Sequence, residues 1–321
     1  MKKVLIGMSV LCLSAGAFAS RARMAALSQG TDLTTRTGKG SLYLDDNRNI
    51  WRSAAALNDL GSHVTVEFGQ DAVSGAGGTV EGGFFQSMDF GTIGMQLNNQ
   101  NYGNVASNVA DPGRLDVFFA RNHYGVRVGY EKIDIDSVDT EGSGFDFGVG
   151  FDRGELSAWL NYVPSITNTV GGADTEADAA MNLGLTYEMS SYDLFAEYDQ
   201  ADDDNSSITL GAARVNEIDG GFHFQELSLN QTKAGDDSDM DLSVAFGIEH
   251  KAASWLTWRF SLRQSLLQTG DSETSTRDTQ LGAGVSLTMG EMIVDGTVTN
   301  QSTGQLGTDN FMSNVSMTYM F

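Results

Sequence analysis

The chain ends Asn314-Val315-Ser316-Met317-Thr318-Tyr319-Met320-Phe321. Val315, Met317, Tyr319 and Phe321 alternate with Asn314, Ser316, Thr318 and Met320. A period of two sends successive side chains to opposite faces, which makes this a strand with an apolar side. The pattern recurs upstream. Val64, Val66 and Phe68 alternate with His63, Thr65 and Glu67; Phe145, Phe147, Val149 and Phe151 with Asp146, Gly148, Gly150 and Asp152. Leu242, Val244, Phe246 and Ile248 alternate with Ser243, Ala245, Gly247 and Glu249; Leu281, Ala283, Val285, Leu287 and Met289 with Gly282, Gly284, Ser286 and Thr288. After Ala19 no apolar run approaches the roughly 20 residues that a membrane helix needs.

A soluble sandwich alternates in the same way, and the joints between strands separate the two. Short joints fall near 87–89, 122–124, 152–154, 190–191, 215–218, 252–253 and 290. Longer polar joints fall near 71–78, 101–112, 136–141, 164–178, 201–205, 232–238, 268–276 and 300–308. One rim of short turns and one of long loops is the topology of a transmembrane barrel. An amphipathic last strand ending in Phe resembles the C-terminal signature that outer-membrane proteins present to the barrel assembly machinery, with Tyr319 and Phe321 as its aromatic residues. The expectation is an all-β, transmembrane, antiparallel up-and-down barrel of sixteen strands over residues 62–321. Fourteen follow if one hairpin is lost. The apolar phase shifts over 79–87 and 220–230, where a bulge is expected.

The other end is an address label. Met1-Lys2-Lys3 is basic, Val4 to Leu13 is apolar, and Ala17-Phe18-Ala19 is an A-x-A cleavage site, so residues 1–19 read as a secretory signal peptide. Cys12, the only cysteine, lies inside it, and the exported chain is expected to be free of disulfide and thiolate chemistry. The localisation that follows is the outer membrane of a Gram-negative bacterium. Lys and Arg number 19 against 42 Asp and Glu, a net charge of −23 that repels phosphate and argues against nucleic acid as a partner. With 40% hydrophobic residues, 38 Gly without a strict period and 2 Pro, the chain is neither disordered nor collagenous.

A membrane strand must pair every backbone group, and ring closure leaves no edge in lipid. Tyr130, Trp258, Tyr162, Tyr187, Tyr198 and Tyr319 lie on the apolar rows, several near strand ends, where aromatic girdles belong. The opposite phase supplies the pore-lining candidates: Glu67, Arg127, Glu131, Asp146, Asp152, Glu188, Glu197, Asp199, Glu249, Arg259 and Arg263. Gly, Ser, Thr and Asn fill most other inward positions, side chains too small to fill a lumen about sixteen strands round, so water is expected there. Carboxylates outnumber cations in that set, which favours cations in a narrow passage. Arg259 and Arg263 are four apart on one strand and both face inward, either hydrated in the lumen or salt-bridged across it, or opposing carboxylates to set a transverse field at a constriction.

The acidic loops (Asp174, Glu176 and Asp178; Asp202, Asp203 and Asp204; Asp236, Asp237 and Asp239) lack the glycine and spacing of a calcium-binding loop and read as solvated charge. No metal and no cofactor is expected. Of the four histidines, His123 and His250 fall at or near short turns, His63 opens the first strand, and His223 near Ser228 fits no known serine-nucleophile spacing, so no enzyme activity is expected.

About forty residues separate the cleavage site from the first strand. They include Arg21-Ala22-Arg23-Met24-Ala25-Ala26-Leu27 and Ser41-Leu42-Tyr43-Leu44-Asp45-Asp46-Asn47-Arg48-Asn49-Ile50-Trp51-Arg52-Ser53-Ala54-Ala55. This segment resembles the opening of the porin-like major outer-membrane proteins of predatory delta-class bacteria. More distantly it is similar to the long-chain fatty-acid transporter family, whose segment reads roughly R-x-x-A-L-G … D-D-x-x-x-I-x-x-N-P-A. Ser28 stands where that pattern has Gly, and Arg52-Ser53-Ala54 where it has Asn-Pro-Ala. The transporter resemblance implies a segment folded into the barrel as a plug, and residues 52–60 have helical character. Residues 20–61 are therefore read as a periplasmic or plug segment. General trimeric porins narrow the pore with the third loop; here that loop is short, and the second and fourth are better lengths for a constriction.

The expected function is a water-filled outer-membrane porin for passive diffusion of small hydrophilic solutes, with mild cation preference. The alternatives are a fatty-acid-transporter-like channel for hydrophobic substrates and a structural or surface-contact protein without an open pore. The expected partners are outer-membrane lipid and lipopolysaccharide, the barrel assembly machinery, small solutes or ions, and two further copies in a homotrimer.

Overall fold

The computed structural model describes residues 20–29, 39–69, 79–99, 113–135, 139–270, 279–302 and 314–321. The expected signal peptide and the second loop at 101–112 lie outside these residues, as do parts of several other loops. A short helix, α1 (Arg21–Ala26), and two 3-10 turns at Asn47–Trp51 and Ala54–Asp59 precede the first strand. The strands are β1 (His63–Gly69), β2 (Thr79–Met88), β3 (Gly91–Leu97), β4 (Gly113–Arg121), β5 (Tyr124–Ile135), β6 (Thr140–Arg153) and β7 (Leu156–Val163). A hairpin follows, β8 (Ile166–Val170) and β9 (Ala173–Ala177). Then come β10 (Ala180–Met189), β11 (Tyr192–Gln200), β12 (Asn205–Ile218), β13 (Gly221–Ala234) and β14 (Asp237–Ala253). The last are β15 (Leu256–Gly270), β16 (Thr279–Met289), β17 (Met292–Ser302) and β18 (Asn314–Met320).

Each strand pairs antiparallel with the next, except that β7 bypasses the β8–β9 hairpin and pairs with β10. β1 pairs with both β2 and β18, which closes a barrel of sixteen strands, as the alternation predicts. One rim holds two-residue turns, among them Gly154-Glu155 and Gly290-Glu291, whose glycines adopt φ of 62° and 65°, the left-handed region that tight hairpins demand. The amide of Phe321 bonds the carbonyl of Ser62 at the same rim (3.2 Å).

Several boundaries differ from the sequence expectation: the joint expected at 252–253 lies at Ser254-Trp255, and the one expected at 164–178 holds the β8–β9 hairpin. The joint expected at 215–218 lies at Asp219-Gly220, and the long joint expected at 232–238 is a two-residue turn, Gly235-Asp236, because β13 and β14 pair without interruption from Gly221/His250 to Ala234/Asp237. The bulges also fall elsewhere. They lie between Leu242 and Ser243, between Lys251 and Ala253, and between Ala283 and Gly284. β2 and β13 run in regular register. Their apolar phase shifts because Phe85, Phe222 and Phe224 point inward and pack against the N-terminal segment and its neighbours.

Outward positions are exposed and apolar around the ring, for example Phe84, Val117, Val126, Phe147, Leu160, Leu185, Phe246, Phe260 and Leu287. Such a surface suits lipid rather than water. The buried apolar groups lie inside, in two clusters. One joins Ile50, Trp51, Ala54, Leu57 and Leu60 to Phe85, Phe118 and Ala120; the other joins Met24, Leu27 and Leu44 to Phe224 and Ala245. The core of this barrel is the contact between its wall and its own N-terminal segment.

Candidate functional site in the barrel lumen

The segment follows the inner wall. Ser20 caps α1 by accepting from the Arg23 amide (3.2 Å), and the helix lies against β15–β18 and β1, across the closure seam. Thr297 Oγ1 donates to the Ala22 carbonyl (2.9 Å) and Ser261 Oγ to that of Ala26 (2.8 Å). A Cβ at Gly282 or Gly284 would collide with Ala26, so these positions admit the helix only as glycine. On the other side, a Cβ at Gly125 or Gly150 would overlap the backbone at Ala54 and Ala55, where the second 3-10 turn sits on β4–β6. The glycine-rich inner face, read from sequence as room for water, is at these strands room for chain.

Charge fixes what shape admits. Arg48 donates to Glu67 (3.0 Å) and Glu81 (2.7 Å), and Arg21 also meets Glu81. Arg23 reaches Glu249 (2.6 Å), Asp46 (3.2 Å) and the Asp45 carbonyl (2.8 Å). Arg259 bonds the same Glu249 and Asp295 (2.7 Å). Arg52 grips Glu197 with two parallel bonds of 3.0 and 3.1 Å, the geometry that planar guanidinium favours. Asn182 donates to both Glu197 and Asp199, and Lys39 pairs with Asp199. Arg263 and Tyr43 converge on Glu226 (2.9 and 2.7 Å). A last cluster draws its ion pairs from the wall, with Arg127 also over the Trp51 ring (5.8 Å): Arg114 bonds Asp116 (2.7 and 2.8 Å) and Asp146 (2.6 Å), Arg127 bonds Asp116 (2.8 Å), and Glu131 lies 3.6 Å from Arg114. Burial pushes the Asp46 carboxyl up to about 7 against the pull of Arg23. Burial, then the charges of Asp152 and Asp45, raise Asp59 near the short-turn rim.

Eight of the nine principal pore-lining candidates join this network: Glu67, Arg127, Glu131, Asp146, Glu197, Glu249, Arg259 and Arg263. Glu188 is exposed near the short-turn rim and joins no ion pair among the described residues. Asp152 is half-buried at the end of β6, and Asp199 is held by Lys39 and Asn182. The carboxylate excess of the wall meets five cations brought by the segment, Arg21, Arg23, Lys39, Arg48 and Arg52.

Sequence reasoning missed Glu81, Arg114, Asp116, Glu226 and Asp295, and a ring of inward aromatics. Phe85 and Phe118 lie three residues before the strand ends Met88 and Arg121; Trp159, Phe195 and Phe224 lie three after the strand starts Leu156, Tyr192 and Gly221. The signal was their constant distance from the short turns on the inward phase. Trp51 meets Phe118 edge-on (5.1 Å between ring centroids), Tyr43 packs on Phe195 and Phe224 (6.0 and 5.6 Å), and Arg52 lies over Trp159 (5.7 Å). Toward the long loops the lumen is polar and half-open, with Ser207, Thr209, Asn230 and Asp241. There β8 pairs with β6 at Thr169/Glu141, and Ile166 sits over Gly144 on the inward side of β6.

No protein-family model matches the chain, and no curated protein does. Among solved structures, a bacterial polysaccharide outer-membrane secretin is similar at 11% identity and TM-score 0.52, over 81% of this chain and 97% of that one. A Rh. blastica porin mutant matches at 13% identity and TM-score 0.41, over 81% and 98% of the two chains. The outer-membrane protein OpdK from Pseudomonas aeruginosa matches at 10% and 0.40, over 80% and 97%. At 11% identity the likeness to the secretin is one of fold, a closed antiparallel barrel.

Proposed function

We propose that the chain is an outer-membrane porin, a passive channel for small hydrophilic solutes, whose lumen is narrowed at the periplasmic, short-turn end by residues 20–29 and 39–60. One observation carries this reading: apolar side chains face outward on the strands, while ionic and hydroxylic ones face a lumen that is polar and half-open toward the long loops. A mild cation preference fits the carboxylates that the segment's cations leave over, Asp241 in the open half and Asp59 and Asp152 near the short-turn rim among them. Tyr319 and Phe321 face outward at the seam, Phe321 stacked on Phe84 (5.9 Å), where an assembly factor would read them. The remaining partners of this reading are lipopolysaccharide and, for a homotrimer, two further copies. Refolded mature protein in a planar bilayer is expected to give ohmic steps whose reversal potential in a salt gradient leans toward cations. Silence from protein that keeps heat-modifiable gel mobility would sink the proposal.

A second reading has its own support. The apolar cluster of Met24, Leu27, Leu44 and Phe224 lies inside the barrel, and the N-terminal segment is distantly similar in sequence to that of the fatty-acid transporters. Saturable binding of a fluorescent fatty acid, lost in Phe224→Ser, would favour a hydrophobic-substrate channel.

A further inference from the structure

The outward face carries a polar interruption that solute passage does not use. At the short-turn end of β12 and β13 the outward residues are Arg214, Asn216, His223 and Gln225, with Arg214 opposite Gln225 and Asn216 opposite His223. The flanking strands present Tyr192 and Leu194 on one side and Phe246 and Ile248 on the other. Arg214 is exposed, its guanidinium lies over the Tyr192 ring at 5.8 Å, and it makes no ion pair among the described residues. Tyr192 opens β11 beside its short turn, so Arg214 stands at the level of the aromatic belt, where an outward charge costs far less than at the midplane.

We propose that Arg214, with Asn216, His223 and Gln225, binds the phosphate of an anionic phospholipid in the leaflet at the short-turn rim. A guanidinium matches phosphate oxygens with two parallel bonds and stays charged at any physiological pH. The polar neighbours supply further donors on the same face. A second copy of the chain is the poorer occupant. Among the described residues, outward strand positions in the short-turn half hold Arg121, Arg153 and Arg214 and no carboxylate, so the same face of another copy has nothing to neutralise the arginine. Against the chain's strong negative charge an outward basic position is a local exception, and at Arg214 it stands opposite Gln225 with Asn216 and His223 beside it. The inference rests on the short-turn rim facing the periplasm.

The test is native mass spectrometry of delipidated mature protein titrated with phosphatidylglycerol or phosphatidylcholine, on wild type, Arg214→Gln and Arg214→Lys. Wild type is expected to prefer phosphatidylglycerol about fivefold, roughly what one arginine near an anionic surface supplies. Arg214→Gln should lose that preference and Arg214→Lys keep part of it. An unchanged preference in Arg214→Gln overturns the proposal. So does a wild-type oligomer, without lipid preference, that the substitution dissociates, for then a second copy holds the face. Heat-modifiable mobility verifies folding, and conductance unchanged in Arg214→Gln keeps this outcome separate from the channel reading.

Discussion

Ser28 adopts φ of 51°, at the position where the fatty-acid-transporter pattern has Gly. An L-residue in that region costs about 1–2 kcal/mol. Its hydroxyl recovers part of this through Ser261 (2.8 Å), at about 0.5–1.5 kcal/mol for such a bond. Ser28→Gly is therefore expected to leave the docked segment as stable as before, within about 1 kcal/mol. Ser28→Val loses the bond and keeps the strained backbone, and should expose the segment to protease in folded protein. Arg48 sits at the opposite extreme. Arg48→Met leaves Glu67 and Glu81 buried without that cation, an expected loss of about 3–5 kcal/mol. A lower urea midpoint for segment protection reads it, and adding Glu67→Gln and Glu81→Gln should restore most of the loss. Which way Glu67 or Arg259 points was legible from alternation, because phase is a local property of a strand. That Arg48 meets Glu67 was not, because nothing local to either residue encodes a partner across the lumen.

Among elements, the strands were read well and the N-terminal segment only in outline. Hairpin rhythm and the apolar rows are repeated signals, and sixteen strands emerged from them. The shifted phases of β2 and β13 were real but misattributed to bulges: their inward aromatics face a segment whose position no strand pattern reveals. Glycine was the overlooked cue. Gly125 and Gly150 together accommodate Ala54 and Ala55, so Gly125→Val with Gly150→Val is expected to unseat the second 3-10 turn while the barrel still forms. Retained heat-modifiable mobility, new protease cleavage before residue 62 and larger single-channel conductance are the three readouts. The β8–β9 hairpin should be dispensable by comparison, because β7 and β10 pair directly over eight residue pairs from Leu156/Tyr187 to Val163/Ala180. Replacing residues 166–177 with a short Gly-Asn linker should leave folding and thermal stability near wild type.

At the scale of the molecule, the barrel inverts the soluble arrangement: its exterior is apolar and its interior is ionic and mostly neutralised. Because those pairs are buried, bulk salt screens them weakly. Raising salt from about 0.1 to 1 M, where the Debye length falls from about 10 to 3 Å, should scale conductance with bulk conductivity without releasing the segment. A jump in conductance, or protease access gained at 1 M, would show that the pairs are wetter than their geometry implies.

The position of α1 has a bearing on how the ring is made. β18 must find β1 to complete the ring, and among the described residues it pairs with β17 over five residue pairs. α1 spans that junction from within, tied by Thr297 to the Ala22 carbonyl and by Ser20 to Asp295 on one side, and by Arg21 to the β2 carboxylate Glu81 on the other. Docking of the first residues and joining of the last strand are thus linked equilibria, each raising the population of the other. A chain shorn of α1 would suffer less as a channel without a lid than as a ring whose clasp has been removed.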